Sequence, residues 1–188
     1  FDGADDYVEI PHSDSVNFGT GDKEDYTVSV WVHPFNLDGY QHIISKLGIA
    51  DTVGDNGPSP FELFTAGDRV VYYVKDGTGA GTDAAYNTGE TTISVDEWQH
   101  FVLVKDGDYF SIYKNGVRVS YEYVVIDSSI ANNQPITIGQ RGDDDIYFDG
   151  MIDEVGLFNR ALTGDEVMNL HDSYLGAFTQ QYHNTLYI

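Results

Sequence analysis

The chain has 188 residues, 31 Asp and Glu against 9 Lys and Arg, a net charge of −22, and no Cys. This balance excludes ordinary nucleic-acid binding, because phosphate needs a basic footprint, and it leaves no thiol for disulfides, Cys-ligated zinc, iron–sulfur clusters or cysteine nucleophiles. The length suits one domain with one sizeable core, and no run approaches the roughly 20 apolar residues of a membrane helix, so membrane insertion is not expected. The acidity has two compatible readings. One is a solvated surface, as in adaptation to salty water that screens self-repulsion. The other is divalent cation binding, Ca²⁺ first, because oxygen ligands are abundant.

The sequence starts at Phe1 with no basic and apolar leader behind it, and reads as a segment of a larger multidomain chain. Its dominant period is two. Tyr26 to His33 places Tyr26, Val28, Val30 and Val32 on one face, and Pro34 ends the run. A long loop from Gly48 to Pro60 carries Asp51, Asp55 and Asn56. Arg69 to Lys75 is a strand rich in Val and Tyr, followed by a Gly-rich loop from Gly77 to Gly89. Loops of this length in compact domains are often functional. Trp98 to Lys105 is nearly all apolar and predicts a central strand. Tyr109 to Tyr113 and Val117 to Val124 follow, with Asp106-Gly107 and Asn115-Gly116 as the turns of a three-stranded meander. One helix is predicted. Thr163 and Glu166 have capping-box spacing, Val167, Leu170 and Tyr174 form its buried face, and it ends near Ser173 before Gly176. Residues 1–175 then form an all-β, two-sheet antiparallel sandwich with one short late helix, and 176–188 form a last strand or a linker.

Several motifs resemble a known family. Phe1-Asp2-Gly3 with Asp6-Tyr7-Val8-Glu9-Ile10-Pro11, and the strand Tyr26 to Pro34, resemble LamG-like jelly-roll domains of the concanavalin A-like lectin/glucanase superfamily. Ile43-Ile44-Ser45-Lys46, Trp98-Gln99-His100 and the Asn115-Gly116 hairpin are similar to its next signatures. Phe148-Asp149-Gly150-Met151-Ile152-Asp153-Glu154, with Asn159 to Thr163, is the most specific match. The resemblance implies two face-to-face sheets of about six or seven strands each. It also implies a broad set of roles, from glycan and protein binding to Ca²⁺ binding, in secreted enzymes, adhesins and phage particles. Trp31 and Trp98 match core positions of the family.

The glucanase branch carries Glu-x-Asp-x-x-Glu on one strand, aiming alternate carboxylates into a cleft. This sequence lacks that motif, and it has no Gly-x-Ser-x-Gly elbow or His-Glu-x-x-His. Asp153 and Glu154 are adjacent, so a regular strand would aim them to opposite faces. No catalytic residue is assigned. For Ca²⁺, the family architecture brings the first and last strands together, which implies Asp2, Gly3, Asp6 and Asp153 as a shell. The alternative is that Asp2 and Asp153 cap turns. A second acidic group is Arg141, Asp143, Asp144, Asp145 and Asp149, and a third is Asp51, Asp55 and Asn56.

Sugar binding needs aromatic platforms beside polar groups. Tyr40, Tyr86, Tyr109 and Tyr147 lie near expected loops, while Tyr72-Tyr73 and Tyr121-Glu122-Tyr123 put aromatics on alternating faces. The candidate ligand residues are therefore Tyr40, Asp51, Asp55, Asn56, Tyr86, Arg141, Asp143, Asp145 and Tyr147. The six His show no metal spacing, and His100 reads as a core residue. The expected function is a non-catalytic, Ca²⁺-stabilised carbohydrate-binding module of an extracellular or cell-surface protein. Its alternative is an adhesive protein-interaction domain of a virion or surface protein.

Overall fold

The computed structural model describes residues 1–20, 24–47, 57–75, 84–124, 126, 129–142 and 145–183, with backbone alone for 84–91 and 176–183. Its strands are β1 Val8–Ile10, β2 Tyr26–Pro34, β3 Tyr40–Ser45, β4 Ser59–Ala66, β5 Arg69–Lys75, β6 Ala84–Thr92, β7 Gln99–Asp106, β8 Tyr109–Lys114, β9 Val117–Tyr123, β10 Ile136–Ile138 and β11 Gly150–Phe158. They form a six-stranded sheet in the order β1-β10-β3-β4-β5-β6 and a five-stranded sheet in the order β11-β2-β7-β8-β9. Every pairing is antiparallel. The expected sandwich is therefore present, with five strands in the second sheet among the described residues, where the resemblance implied about six or seven.

Period-two alternation builds the core between the sheets. Tyr26, Val28, Val30 and Val32 of β2 meet Phe61 and Leu63 of β4 and Val70 and Tyr72 of β5 in one buried cluster. Each such side chain contributes about 1.5–3 kcal/mol by leaving water. Beneath it, the Tyr26 hydroxyl donates to the Pro60 carbonyl, and burial holds its pKa above the usual phenol range. The meander β7-β8-β9 forms as expected, with β7 in the centre of its sheet. Asn115 and Gly116 both take left-handed conformations, φ 50° and 78°, as a two-residue hairpin turn requires. A Cβ on Gly116 would also come within 2.7 Å of the Met168 sulfur, so this turn packs under the helix.

The helix α1, Gly164–His183, covers the outer face of the five-stranded sheet. Its start is the expected reciprocal cap. Glu166 N–H donates to Thr163 Oγ1 at 3.3 Å, and Thr163 N–H donates to Glu166 Oε2 at 2.9 Å. Arg160 grips the same carboxylate with two bonds of 2.8 Å, and that bonding, with the cap, lowers its pKa to about 2. The far end differs from expectation. The helix passes Ser173 and Gly176 and runs to His183, in the stretch expected to be a strand or linker. Gly inside a helix costs only about 1 kcal/mol relative to Ala, and Leu175, Ala177, Gln180 and Gln181 are good helix formers around it.

Below α1 lies a second cluster of Val102, Val104, Tyr113, Leu162 and Val167. Strands β2 and β7 are thus buried on both faces, which is why Trp98 to Lys105 reads as continuously apolar. Trp31 is buried, but on this outer face, stacked on His100 at 5.0 Å and on His171 of α1 at 5.4 Å. Trp98 departs from its expected core role. It precedes β7, is half-buried, and meets His33 edge-on at 5.5 Å.

Candidate functional site

The outer face of the six-stranded sheet carries the candidate site. On β4, Phe61 and Leu63 point into the core, so Glu62 and Phe64 point outward. His42 on β3 pairs with Phe64 in register, and Tyr73 on β5 pairs with Glu62. Phe64 stacks on His42 at 4.8 Å and on Tyr73 at 5.3 Å, and Tyr40 stands 6.0 Å away. These rings, with Glu62, Lys75, Arg141 and Ile146, enclose a cavity of about 280 Å³.

Two polar side chains lie deep in this cavity. Glu62 is 2% exposed and His42 is 3% exposed. Among the described residues, Glu62 Oε1 and His42 Nδ1 have no hydrogen-bond partner. The other Glu62 oxygen lies 3.5 Å from Arg141 Nε. Burial raises the Glu62 pKa, with Arg141 and Lys75 opposing. Burial, and then the charge of Arg141, lowers the His42 pKa to about 3. His42 is therefore neutral at ordinary pH, with one ring nitrogen a donor and the other an acceptor.

A second cavity, about 330 Å³, adjoins the first. It is lined by Asp2, Asp38, Asp145, Asp149 and Tyr147, with Tyr40 and Ile146 common to both cavities. Asn36 organises its floor. The Asn36 side-chain amide donates to the Asp149 carboxylate, and Asn36 Oδ1 accepts from Gln41 Nε2 at 2.7 Å. Asp149 N–H in turn donates to Gln41 Oε1 at 3.0 Å. The Tyr147 hydroxyl donates to Asp145 Oδ1 at 3.4 Å. Gly3 has φ 75°, and a Cβ there would lie 2.9 Å from Asp149 Cβ, so only Gly lets the N-terminal segment lie against Asp149.

The expected metal residues are partly brought together. Carboxylate oxygens of Asp2, Asp5 and Asp6 lie within 4.8 Å of one another, all exposed. Asp6 accepts from Asp2 N–H at 3.2 Å, and Asp2 accepts from Ala4 N–H at 3.0 Å. Asp153 is not with them. It pairs in register with Trp31, and Asp149 is the residue that bridges to Asp2. A bulge between Asp153 and Gly156, with Glu154 at φ 49°, exposes both Asp153 and Glu154. Opposite-face alternation fails there because a bulge adds a residue to one strand. Both carboxylates instead act on Tyr174 of α1, where burial, then Glu154 and Asp153, raise the phenol pKa.

Of the expected ligand residues, Tyr40 and Arg141 line the first cavity, and Tyr40, Asp145 and Tyr147 line the second. Asp51, Asp55, Asn56 and Asp143 lie outside the described residues. Tyr86 lies on β6, in register with Tyr72, with only its backbone described. Sequence reasoning missed His42, Glu62, Phe64 and Lys75 as site residues. Their signal was the alternation Phe61-Glu62-Leu63-Phe64, a charge within an apolar strand. Tyr73 was legible as facing away from Tyr72. Tyr72 is in the core, its hydroxyl donating to the Pro60 carbonyl at 3.1 Å.

This two-sheet sandwich is a concanavalin A-like architecture. The concanavalin A-like lectin/glucanases superfamily matches residues 2–168, and the chain belongs to it. Among solved structures, the binding domain of Paraclostridial Mosquitocidal Protein 1 is similar, with TM-score 0.69 and 22% identity over 89% of this chain and 41% of that one. The Botulinum neurotoxin serotype G binding domain aligns with TM-score 0.62 and 16% identity, over 90% of this chain and 45% of that one. Domain 4 of AbnA, an extracellular arabinanase from Geobacillus stearothermophilus in complex with arabinotriose, aligns with TM-score 0.58 and 20% identity, over 88% of this chain and 72% of that one. The chain thus spans less than half of either toxin domain, and these likenesses show the fold alone. No curated protein sequence matches the chain significantly.

Proposed function

We propose that the chain is a non-catalytic carbohydrate-binding module, stabilised by Ca²⁺, within a larger extracellular or cell-surface protein. One observation carries the reading: Glu62 Oε1 and His42 Nδ1 are buried and unpartnered among the described residues, in a cavity walled by aromatic rings. An unmet buried acceptor costs about 1–3 kcal/mol. A sugar hydroxyl donating to Glu62 recovers that cost, while Tyr40 and Tyr73 offer ring surface to the C–H face of the sugar. The arabinotriose complex of the AbnA domain supports a glycan for this fold, and the toxin binding domains support a binding role.

Ca²⁺ would be held by Asp2, Asp5 and Asp6, with the Gly3 carbonyl as a further ligand of the kind it favours. Asp153 has no part in that shell. The first cavity holds one carboxylate, Glu62, among its described residues, whereas glycoside hydrolysis uses a pair across the scissile bond. The testing experiment is a glycan array with wild type and Glu62→Gln, which keeps the shape and removes the charge. Signals that disappear in the variant support the reading, and a blank array refutes it. The second reading, an adhesive protein-interaction domain, is favoured by β9. This edge strand is exposed along almost all its length, with Val117 58%, Tyr121 52% and Tyr123 60% exposed.

A further inference from the structure

The two cavities are not independent. Tyr40 and Ile146 form a common wall, and Tyr40 stands 65% exposed on it. At about 280 and 330 Å³, each alone sits near the lower end of ligand pockets, roughly 300–1,000 Å³. Side by side across the shared Tyr40–Ile146 wall, they offer space for one unit each. The two differ in chemistry. The first has stacked rings, neutral His42 and buried Glu62, with Arg141 Nε 3.5 Å from the Glu62 carboxylate and Lys75 beside them. The second presents Asp2, Asp38, Asp145 and Asp149, with no Lys or Arg among its described lining residues. A Ca²⁺ at Asp2, Asp5 and Asp6 still leaves Asp38, Asp145 and Asp149 facing the ligand.

We infer that the ligand is a neutral oligosaccharide of two or more units lying across both cavities, with Tyr40 at the linkage between them. This rests on the glycan reading of the first cavity. Carboxylates accept hydrogen bonds from sugar hydroxyls with no change of charge. A uronate, sulfate or sialate unit in the second cavity would bring like charge against three Asp, in a chain of net charge −22, and is rejected by repulsion, while in the first cavity the Arg141 guanidinium already faces the Glu62 carboxylate. Joining two units turns the second contact into an intramolecular one, so affinity rises with chain length until both cavities are filled.

The test is affinity electrophoresis in 1 mM-scale Ca²⁺, followed by calorimetry. The neutral probes are arabinan, xylan, glucomannan, mixed-linkage β-glucan and glycogen. The acidic probes are polygalacturonate, alginate and heparin. For each retarding neutral polymer, its oligomers from one unit upward are titrated. The expected result is retardation by a neutral polymer and by no acidic one, with affinity rising at least about ten-fold from one unit to three. Asp145→Asn, at a position that lines the second cavity alone, should bring the three-unit affinity down toward the one-unit value and leave the latter unchanged, whereas Tyr40→Ala, on the wall common to both cavities, should weaken both. Retardation by an acidic polymer, or a monosaccharide bound as tightly as its trimer, overturns this inference and leaves the glycan reading standing. Retardation by none of the polymers overturns both.

Discussion

Acid should loosen the attachment of α1, and the size of the effect follows from His100. Its ring is fully buried between Trp31 and His171, with Tyr174 edge-on at 6.4 Å. Nε2 lies 2.8 Å from Ser29 Oγ, while Nδ1 has no partner among the described residues. Burial, and then the nearby His171, lowers its pKa to about 3, against about 6.5 for a solvated His. The folded pKa is depressed, so the unfolded chain takes up the proton first as pH falls. Stability is fully present above about pH 6.5 and is lost progressively between there and about pH 3. One such His removes about 2 kcal/mol between pH 8 and pH 5, and His42, depressed to the same degree, removes a similar amount. That is a large share of the roughly 5–15 kcal/mol of a typical domain. The measurement is urea unfolding of wild type and His100→Gln at both pH values. Removing the titrating group should cut the acid-induced loss by about 2 kcal/mol, whatever the variant's stability at pH 8. The shared background of carboxylate titration cancels in the comparison. Equal losses in the two proteins would mean that His100 protonates freely in the folded state, and the burial argument would be refuted.

Ca²⁺ should raise the melting temperature over chelator, by about 2.7 kcal/mol of stabilisation at 100 times its Kd, and Mg²⁺ should not. Asp5→Asn should remove that rise while Asp153→Asn keeps it, and calorimetric scans decide between the two. Thr163→Ala should cost about 1 kcal/mol in denaturant unfolding through loss of the cap, with no effect on glycan binding. Trp98→Ala should still fold cooperatively, whereas Trp31→Ala should cost about 3–5 kcal/mol, because only Trp31 is buried between sheet and helix. Glu62→Met should stabilise the fold and abolish binding, as read by thermal melts and the array.

The sandwich was legible because its signals are local. Alternation in Tyr26 to Val32, the Asn115-Gly116 turn and the Thr163–Glu166 cap each depend on residues a few positions apart. The site was only half legible, because its parts meet across strands. Tyr40, Arg141, Asp145 and Tyr147 were found as polar or aromatic residues near loops. Glu62 and His42 were not, since a lone charge in a strand has meaning only when its cross-strand neighbours are known. The misplacement of Asp153 has the same origin. Nothing in the sequence announces the bulge that exposes it, and its register opposite Trp31 is a long-range fact. Gly176 misled in the other direction. It looks like a helix stop, yet a stop needs a left-handed cap and not merely a Gly.

The distribution of burial sets the two sheet faces apart. The five-stranded sheet spends its outer face on α1, which buries Trp31, His100, Val102 and Tyr113. That face also uses its polar groups internally, as in Ser29 with His100 and Thr27 with the Arg160 carbonyl at 2.9 Å. The six-stranded sheet instead holds outward His42, Glu62, Phe64 and Tyr73 around an open cavity. Two of these, His42 and Glu62, bury polar atoms with no partner among the described residues. Other buried polar atoms lack partners among those residues as well, His100 Nδ1 under α1 being one, but His42 and Glu62 are the two that line the cavity. Tyr40 and Ile146 then extend that place toward Asp145 and Asp149. The geometry thus places the buried pair His42 and Glu62 beside an acidic rim.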